Sequence, residues 1–182
     1  MFRQVCLWHY TNNPIMIGGP DTVVEIDESV LTKRKYNRGQ LRAEQQWFFG
    51  GVERGTNNCF IVPVERRDAV TLLPIIQKHI RPGTTIMSDG WAAYGGIANM
   101  PELYEHYKVN HSENFVDPTT GAHTQTIEST WSHFKSRHKE EKGTKLELFA
   151  SYIAQFVWRR EFKGADALFH LWSQIAWRYP QS

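Results

Sequence analysis

The chain has 182 residues, of which 41% are hydrophobic and 22% charged, so it is long enough to bury one sizeable core. Its 21 Lys and Arg residues nearly balance its 19 Asp and Glu residues, and a net charge of +2 does not by itself indicate a nucleic-acid partner. No apolar run approaches the ~18 residues that cross a bilayer, and no signal-peptide pattern opens the chain, so we expect neither a membrane span nor export. Cys6 and Cys59 are too few for a disulfide framework, which favours a reducing compartment.

The first half of the chain predicts three antiparallel strands. Residues 1–20, with their Asn-Asn-Pro and Gly-Gly-Pro turns, are typical of an irregular lead-in. The β-branched run 22–27 predicts a short buried strand that ends in acidic residues. Residues 46–53 and 59–64 are also apolar, and the loop between them has the Gly and Asn residues of a hairpin.

The next segment predicts two more strands and two helices, the second of which begins a short turn after Asp89. Asp68 can cap a helix over 68–80, in which Pro74 should cause a kink or a delayed start. Residues 84–89 form a second short apolar run that ends in an acid, and a weaker strand fits 107–110.

Three helices complete the predicted order. Apolar residues at helical spacing predict one over 124–139, with Ile127, Trp131 and Phe134 as its buried stripe. A capping box begins another at Thr144, and a last helix lies near 168–175. The order predicts an α/β fold in which helices flank a mixed five-stranded sheet, three strands antiparallel and two parallel, with extra C-terminal helices.

Three acidic residues on separate predicted elements can form one site. Asp27 and Asp89 each stand at the carboxyl end of an interior strand. A buried carboxylate there is costly unless a cation neutralises its charge. Glu128 follows the buried position Ile127, which puts it at the edge of the helix face that packs on the sheet. Carboxylate oxygens suit Mg²⁺ or Mn²⁺, and two such ions support in-line phosphoryl displacement. These residues therefore indicate cleavage or transfer of phosphodiesters.

Each acid also has a simpler interpretation. An Asp after a strand commonly caps a turn or a helix, which applies to Asp89 taken alone. Glu25 and Glu28 compete with Asp27 for its role. We favour Asp27, since Glu25 sits one pleat period earlier and Glu28 points to the opposite face, where we expect a surface acid.

A series of sequence strings carries a family resemblance. The chain contains VEIDES, KRKYNRG, QWFFGGVER, PGTTIMSDGWAAY and VNHSENFVDPTTGAHTQTIESTW, followed by Lys135. From about residue 20 to about residue 160 it resembles the catalytic domain of DDE transposases of the Merlin superfamily and their bacterial insertion-sequence relatives. The resemblance implies a ribonuclease H-like catalytic domain over 21–182, with C-terminal helices from about 144. Its catalytic and metal-binding acids would be Asp27, Asp89 and Glu128.

The resemblance also implies a reaction and its partners. Two Mg²⁺ ions, for which Mn²⁺ can substitute, would serve cutting at transposon ends and attack of a 3′-hydroxyl on target DNA. Because two ends must meet, a homodimer or larger assembly on DNA is expected, and no membrane partner. Longer members usually carry a zinc-ribbon or helix-turn-helix module first, whereas about 20 residues precede the first predicted strand here. The motif wording is closer to eukaryotic elements, which implies the nucleus; a bacterial protein would act at the nucleoid in the cytoplasm.

Cations near the first catalytic strand are candidate DNA contacts. Five fall within ten positions and could neutralise phosphates, the alternative being a solvated charged loop. They are Lys33, Arg34, Lys35, Arg38 and Arg42. Lys135 lies two helical turns after Glu128 on the same face, where it holds a phosphate or is simply a surface lysine. His111 and His123 bracket the loop before Glu128 and either contact DNA, support the site or make loop hydrogen bonds.

Aromatic and histidine clusters leave alternatives open. Trp91 could stack on an unpaired base or pack locally, whereas the helical spacing of Trp131 predicts a core residue. Zinc binding by the clustered histidines is a weaker hypothesis, because no cysteine pair precedes His133 and His138.

Two other functions share parts of this pattern. A domesticated or truncated transposase remnant would keep the fold and the basic segment and bind DNA without transposition. Another ribonuclease H-like nuclease would use the same acids on RNA or branched DNA.

Overall fold

The computed structural model describes residues 1–30, 46–109, 123–140 and 148–180. These ranges contain five strands together with helices on both sides of them in sequence. In chain order they contain α1 (Phe2–Asn12), β1 (Val23–Val30), β2 (Trp47–Glu53), β3 (Cys59–Val64), α2 (Ala69–His79), β4 (Thr85–Asp89), a 3₁₀ helix (Ala92–Asn99), β5 (Glu105–Val109), α3 (Gln125–Glu140), α4 (Phe149–Glu161), a 3₁₀ turn (Gly164–Asp166) and α5 (Ala167–Arg178).

The strands form one mixed five-stranded sheet in the order β3-β2-β1-β4-β5. Strands β1, β2 and β3 pair antiparallel, as predicted, and β2 and β3 form the hairpin that the Gly and Asn residues of their short loop indicated. Strands β4 and β5 extend the sheet in parallel from β1, as strands that follow crossover connections do. The predicted α/β architecture, with three antiparallel and two parallel strands, is confirmed.

Both faces of the sheet are covered, because successive residues of each strand point to opposite sides. On one face Ile26 and Phe49 pack with the apolar side of α2 and with the 3₁₀ helix. On the other face Phe48 and Val52 pack with α3 and α4. Three fully or almost fully buried side chains dock α3 on that face, and they are the predicted stripe Ile127, Trp131 and Phe134.

The N-terminal segment corrects one expectation. Residues 1–20 were expected to be irregular, yet Phe2–Asn12 is α-helical and only the remainder up to Pro20 is irregular. Helix α1 packs on α4 and α5, where Cys6 is buried beside Trp158. The Tyr10 hydroxyl donates to Glu161 Oε2 at 2.5 Å. Partners about 150 residues away in sequence stabilise this helix, and local periodicity does not reveal them.

The other element boundaries agree closely with the predictions. Asp68 caps α2 by accepting the Thr71 backbone N–H at 3.0 Å, and α2 begins at once, so Pro74 lies inside the helix without delaying its start. The predicted capping box at 144–147 lies outside the described residues. Among the helices of the described ranges, none is long and apolar enough to cross a membrane.

Candidate active site

Asp27 and Asp89 lie on neighbouring strands and point to the same side of the sheet. Strands β1 and β4 are parallel, with Glu25 opposite Met87. Asp27 and Asp89 follow two residues further along each strand, so the pleat directs both toward the face that α3 covers. Both side chains are partly buried.

Helix α3 brings a third acid to these two. Glu128 lies in its first turn and accepts a hydrogen bond from the Thr124 hydroxyl at 3.2 Å. A pocket of about 190 Å³ is lined by Ile26, Asp27, Asp89, Thr124 and Glu128. Three carboxylates that are distant in sequence therefore line one cavity.

The electrostatics of this pocket disfavour adjacent negative charges. Burial raises the pKa of Asp27 to about 7, and the charges of Glu28 and Asp89 act in the same direction. The backbone N–H of Glu28 partly opposes this by hydrogen bonding to the Asp27 carboxylate. Without a compensating cation, then, the pocket strongly penalises the ionised form of Asp27.

Glu28 differs from the surface acid that was expected. It does point to the opposite face from Asp27, but its Oε1 is buried and has no hydrogen-bond partner among the described residues. Burial raises the pKa of its carboxyl, and the charge of Asp89 adds to the effect, while Tyr94 and Arg67 lower it. The strand end therefore carries a partly buried acid on each face.

Glu25 anchors the helix that carries Glu128. Its side chain is fully buried and accepts the backbone N–H groups of Thr126 at 2.8 Å and Ile127 at 2.9 Å, at the N-terminus of α3. A carboxylate there also interacts favourably with the helix dipole. Arg54 Nε donates to Glu25 Oε1 at 2.6 Å, and the same guanidinium donates to the His123 carbonyl at 2.8 Å. Glu25 thus has a structural role and does not line the pocket.

The carboxylates fit a hard divalent cation by their chemistry. All three are oxygen donors, the type that Mg²⁺ and Mn²⁺ prefer. As they stand, no three His, Cys, Asp or Glu side chains within the described ranges are grouped closely enough to hold a metal ion. The acids therefore share the cavity, with a buried Asp27 that needs compensation, but do not converge on one point.

Two of the predicted DNA-contact residues, Lys135 and His123, lie within the described residues. Lys135 is exposed on α3, two turns beyond Glu128. His123 lies just before α3, with Nδ1 3.4 Å from Glu25 Oε1. The remaining predicted contacts lie outside the described residues, and they are Lys33, Arg34, Lys35, Arg38, Arg42 and His111.

Sequence reasoning missed Arg54 and Arg67. Arg54 was assigned only to a hairpin loop, although a fully buried acid such as Glu25 requires a cation nearby. Arg67 places its guanidinium 3.8 Å from the ring centroid of Trp47 and 5.3 Å from that of Trp91. No local spacing in the sequence pairs these residues, because Trp47 lies in β2 whereas Arg67 and Trp91 lie in separate loops before α2 and before the 3₁₀ helix.

One family model matches most of the chain, including the strands of the sheet and the acids of the pocket. The model of the ISXO2-like transposase domain matches residues 17–161, a span that includes Asp27, Asp89 and Glu128. The chain belongs to this family of DDE insertion-sequence transposases. An uncharacterized transposase-like protein of Haemophilus influenzae is 27% identical over 100 residues, which are 55% of this chain and 78% of that protein.

Solved structures share the fold. The catalytic core domain of BIV integrase superposes with a TM-score of 0.51 and 11% identity, over 86% of this chain and 97% of that one. A simian T-cell lymphotropic virus intasome chain gives a TM-score of 0.48 and 14% identity, over 78% of this chain, which spans about half of that one. With the sheet order and flanking helices, the similarity to the BIV integrase core identifies the ribonuclease H-like fold.

Proposed function

We propose that this chain is the catalytic core of a DNA transposase that hydrolyses phosphodiester bonds at transposon ends and transfers the 3′-hydroxyl into target DNA. One observation carries the proposal. Asp27, Asp89 and Glu128, from β1, β4 and α3, line the same pocket of about 190 Å³. A pocket with three carboxylates on a ribonuclease H-like sheet suits chemistry on phosphate esters better than recognition alone.

The three carboxylates would hold two divalent cations, Mg²⁺ or Mn²⁺. Such ions, when bound, supply activation of the attacking hydroxyl and stabilisation of the leaving oxygen. Glu25 and Arg54 position one of these carboxylates, because their hydrogen bonds fix the start of α3 and hence the backbone of Glu128. Lys135, on the same exposed helix face as Glu128, would bind a DNA phosphate beside the pocket.

A second group of cations supports contact with the DNA backbone. Arg137 of α3 and Arg159 and Arg160 of α4, together with His133, line a pocket of about 250 Å³, and no acid is present among the described residues of its lining. Arg160 is held in place by the Asn57 carbonyl at 3.0 Å. Because the net charge of the whole chain is only +2, such local groups supply the affinity for phosphates.

The test is DNA cleavage and strand transfer by isosteric variants. Asp27→Asn, Asp89→Asn and Glu128→Gln each remove one carboxylate charge with little change in volume. We expect each to reduce the single-turnover rate at least ~100-fold on pre-nicked, hairpin and transposon-end DNA with Mg²⁺ or Mn²⁺. Glu105→Gln, an exposed acid of β5, is the matched control and should retain the wild-type rate.

Three outcomes would contradict the proposal. Mg²⁺-dependent activity that persists in any of the three variants would remove that residue from the site. A wild-type protein that is inert with both metals but binds DNA tightly and salt-dependently would be a DNA-binding remnant. A preference for RNA over DNA duplexes in a competition assay would instead identify another ribonuclease H-like nuclease.

We further propose that the chain assembles as a homodimer or larger complex on DNA. Helix α5 supports this, since it exposes large apolar side chains on one face, namely Leu168, Phe169 and Trp172. Sedimentation of the wild type and of Trp172→Glu tests the proposal. The wild type should sediment as a dimer or larger species and the variant as a monomer; identical monomers would contradict it.

A further inference from the structure

An exposed aromatic residue lies directly beside the candidate active site. Trp91 is the second residue after Asp89, and 43% of its surface is exposed. Its backbone N–H donates to Asp89 Oδ1 at 3.0 Å, so its position is tied to a carboxylate of the pocket. Its indole Nε1–H donates to the Arg67 carbonyl at 3.1 Å, so the ring is fixed as well. An exposed indole whose N–H already donates a hydrogen bond presents a fixed apolar ring surface.

Arg67 adds a cation to this surface. Its guanidinium lies between two indoles, 3.8 Å from the ring centroid of Trp47 and 5.3 Å from that of Trp91. Cation–π contacts on two rings restrict the side chain, and a guanidinium plane also stacks on nucleobases. Trp91 and Arg67 together make what we call the Trp91 shelf.

The shelf borders an open cavity that can receive a planar group. The cavity measures about 590 Å³, and its lining comprises Arg66, Arg67, Asp68, Ala69, Trp91, Ala92 and Ala93. The small alanines leave the space beside the indole open. Asp68, the one acid among the described lining residues, already accepts a hydrogen bond at the N-terminus of α2 and forms an ion pair with Arg66 at 2.7 Å. Aromatic surface, cationic charge and open volume are the features of sites that stack unpaired bases.

We propose that the Trp91 shelf binds an unpaired base of the DNA strand next to the phosphate at the active site. The inference rests on the proposed function, because only DNA in the Asp27–Asp89–Glu128 pocket brings a base to this position. Trp131, the other candidate for stacking, is 4% exposed and belongs to the core. The shelf would therefore select DNA ends with unstacked nucleotides over fully paired duplex.

Binding of defined DNA ends tests the inference in the absence of cleavage. The probes are a blunt duplex, the same duplex with an unpaired overhang, and that overhang with an abasic position in place of the stacked base, all in EDTA. We expect Trp91→Ala to lower affinity for the overhang probe roughly 10-fold and to leave the blunt and abasic probes unchanged, since stacking contributes to one base only. Trp91→Phe should restore most of the affinity. Trp177→Ala, an indole of α5 that is 69% exposed, should have no effect.

A second measurement uses the wild-type protein and so does not depend on a variant that folds. A 2-aminopurine at the overhang position should change its fluorescence on binding, because a stacked fluorophore is quenched. The inference would be overturned if Trp91→Ala lowered the affinity for all three probes equally. It would also be overturned if the fluorescence did not change when the wild type bound. Overhang-specific binding without any metal-dependent cleavage would keep the shelf and reject the proposed function. Metal-dependent cleavage that does not change in Trp91→Ala would keep the proposed function and reject the shelf as a base-binding site.

Discussion

The Glu25 carboxylate and the Arg54 guanidinium form an ion pair of 2.6 Å, in which the Glu25 side chain is fully buried and that of Arg54 is 24% exposed. The pair joins β1 to the start of α3, since Glu25 also accepts two backbone N–H groups of that helix. It therefore couples the strand of Asp27 to the helix of Glu128.

Breaking this pair should destabilise the protein. Removal of one partner leaves the other charge uncompensated, so Glu25→Gln should lower the free energy of unfolding by about 3 kcal/mol. Urea denaturation measures the loss, and the exposed control Glu105→Gln should stay within about 0.5 kcal/mol of the wild type. In the double variant Glu25→Gln/Arg54→Met, the loss of unfolding free energy should be smaller than the sum of the losses in the two single variants. Additive effects would show that the two side chains do not act together.

Gly50 provides a packing test of the same region. It lies opposite Asp27 in the β1–β2 register, and a Cβ there would lie 2.9 Å from the Trp131 ring and 3.0 Å from the Phe60 carbonyl oxygen. Gly50→Ala should therefore displace α3 and cost about 1–3 kcal/mol, as overpacking does. Gly95→Ala is the matched control, because no atom lies within 4 Å of its added Cβ. Equal stability of the two variants in thermal unfolding would contradict the close approach of Trp131.

His106 predicts an acid-dependent loss of stability. Burial lowers its pKa from 6.5 to about 4, and the Lys108 charge acts in the same direction, while its Nε2 lies 2.8 Å from Ser88 Oγ. The folded protein thus binds fewer protons than the unfolded chain. The contribution of neutral His106 to the free energy of unfolding is complete above about pH 6.5 and is lost as the pH falls toward 4. Because the side chain is partly exposed and solvent screens its charge, this contribution amounts to about 1–2 kcal/mol.

Urea denaturation at pH 7.5 and pH 4.5 measures this effect. His106→Asn, which cannot bind the proton, should lose less stability between the two pH values than the wild type. A variant with the same pH dependence as the wild type would exclude His106 as a source.

The five cations after the first strand predict a salt-dependent affinity for DNA. Each phosphate that a cation neutralises contributes about 0.9 to the slope of log K against log salt concentration. Replacement of all five by Gln should reduce this slope by up to about 4, whereas Lys78→Gln on α2 should change it by less than about 1. An unchanged slope, measured by fluorescence anisotropy, would mean that the segment is a solvated loop. The residues replaced are Lys33, Arg34, Lys35, Arg38 and Arg42.

The mixed sheet of three antiparallel and two parallel strands followed from the sequence because its strands and helices depend on local patterns. Apolar runs that end in Asp27 and Asp89, and the buried stripe of Ile127 beside Glu128, predict that the three acids lie near one another, and their role as one site stays a prediction. Helix α1 did not follow, since its stabilising contacts are with α4 and α5 at the other end of the chain. The roles of Glu25 and Arg54 did not follow either. Alternation shows that Glu25 shares a face with Asp27, but only the position of the α3 N-terminus shows which of the two caps a helix.

The most direct test of the metal site is titration calorimetry with Mn²⁺. The wild-type protein should bind Mn²⁺ saturably, and Asp27→Asn, Asp89→Asn and Glu128→Gln should each weaken that binding at least roughly 10-fold, with Glu105→Gln unchanged. Binding that is equal in the wild type and in these three variants would contradict the assignment of the pocket as a cation site.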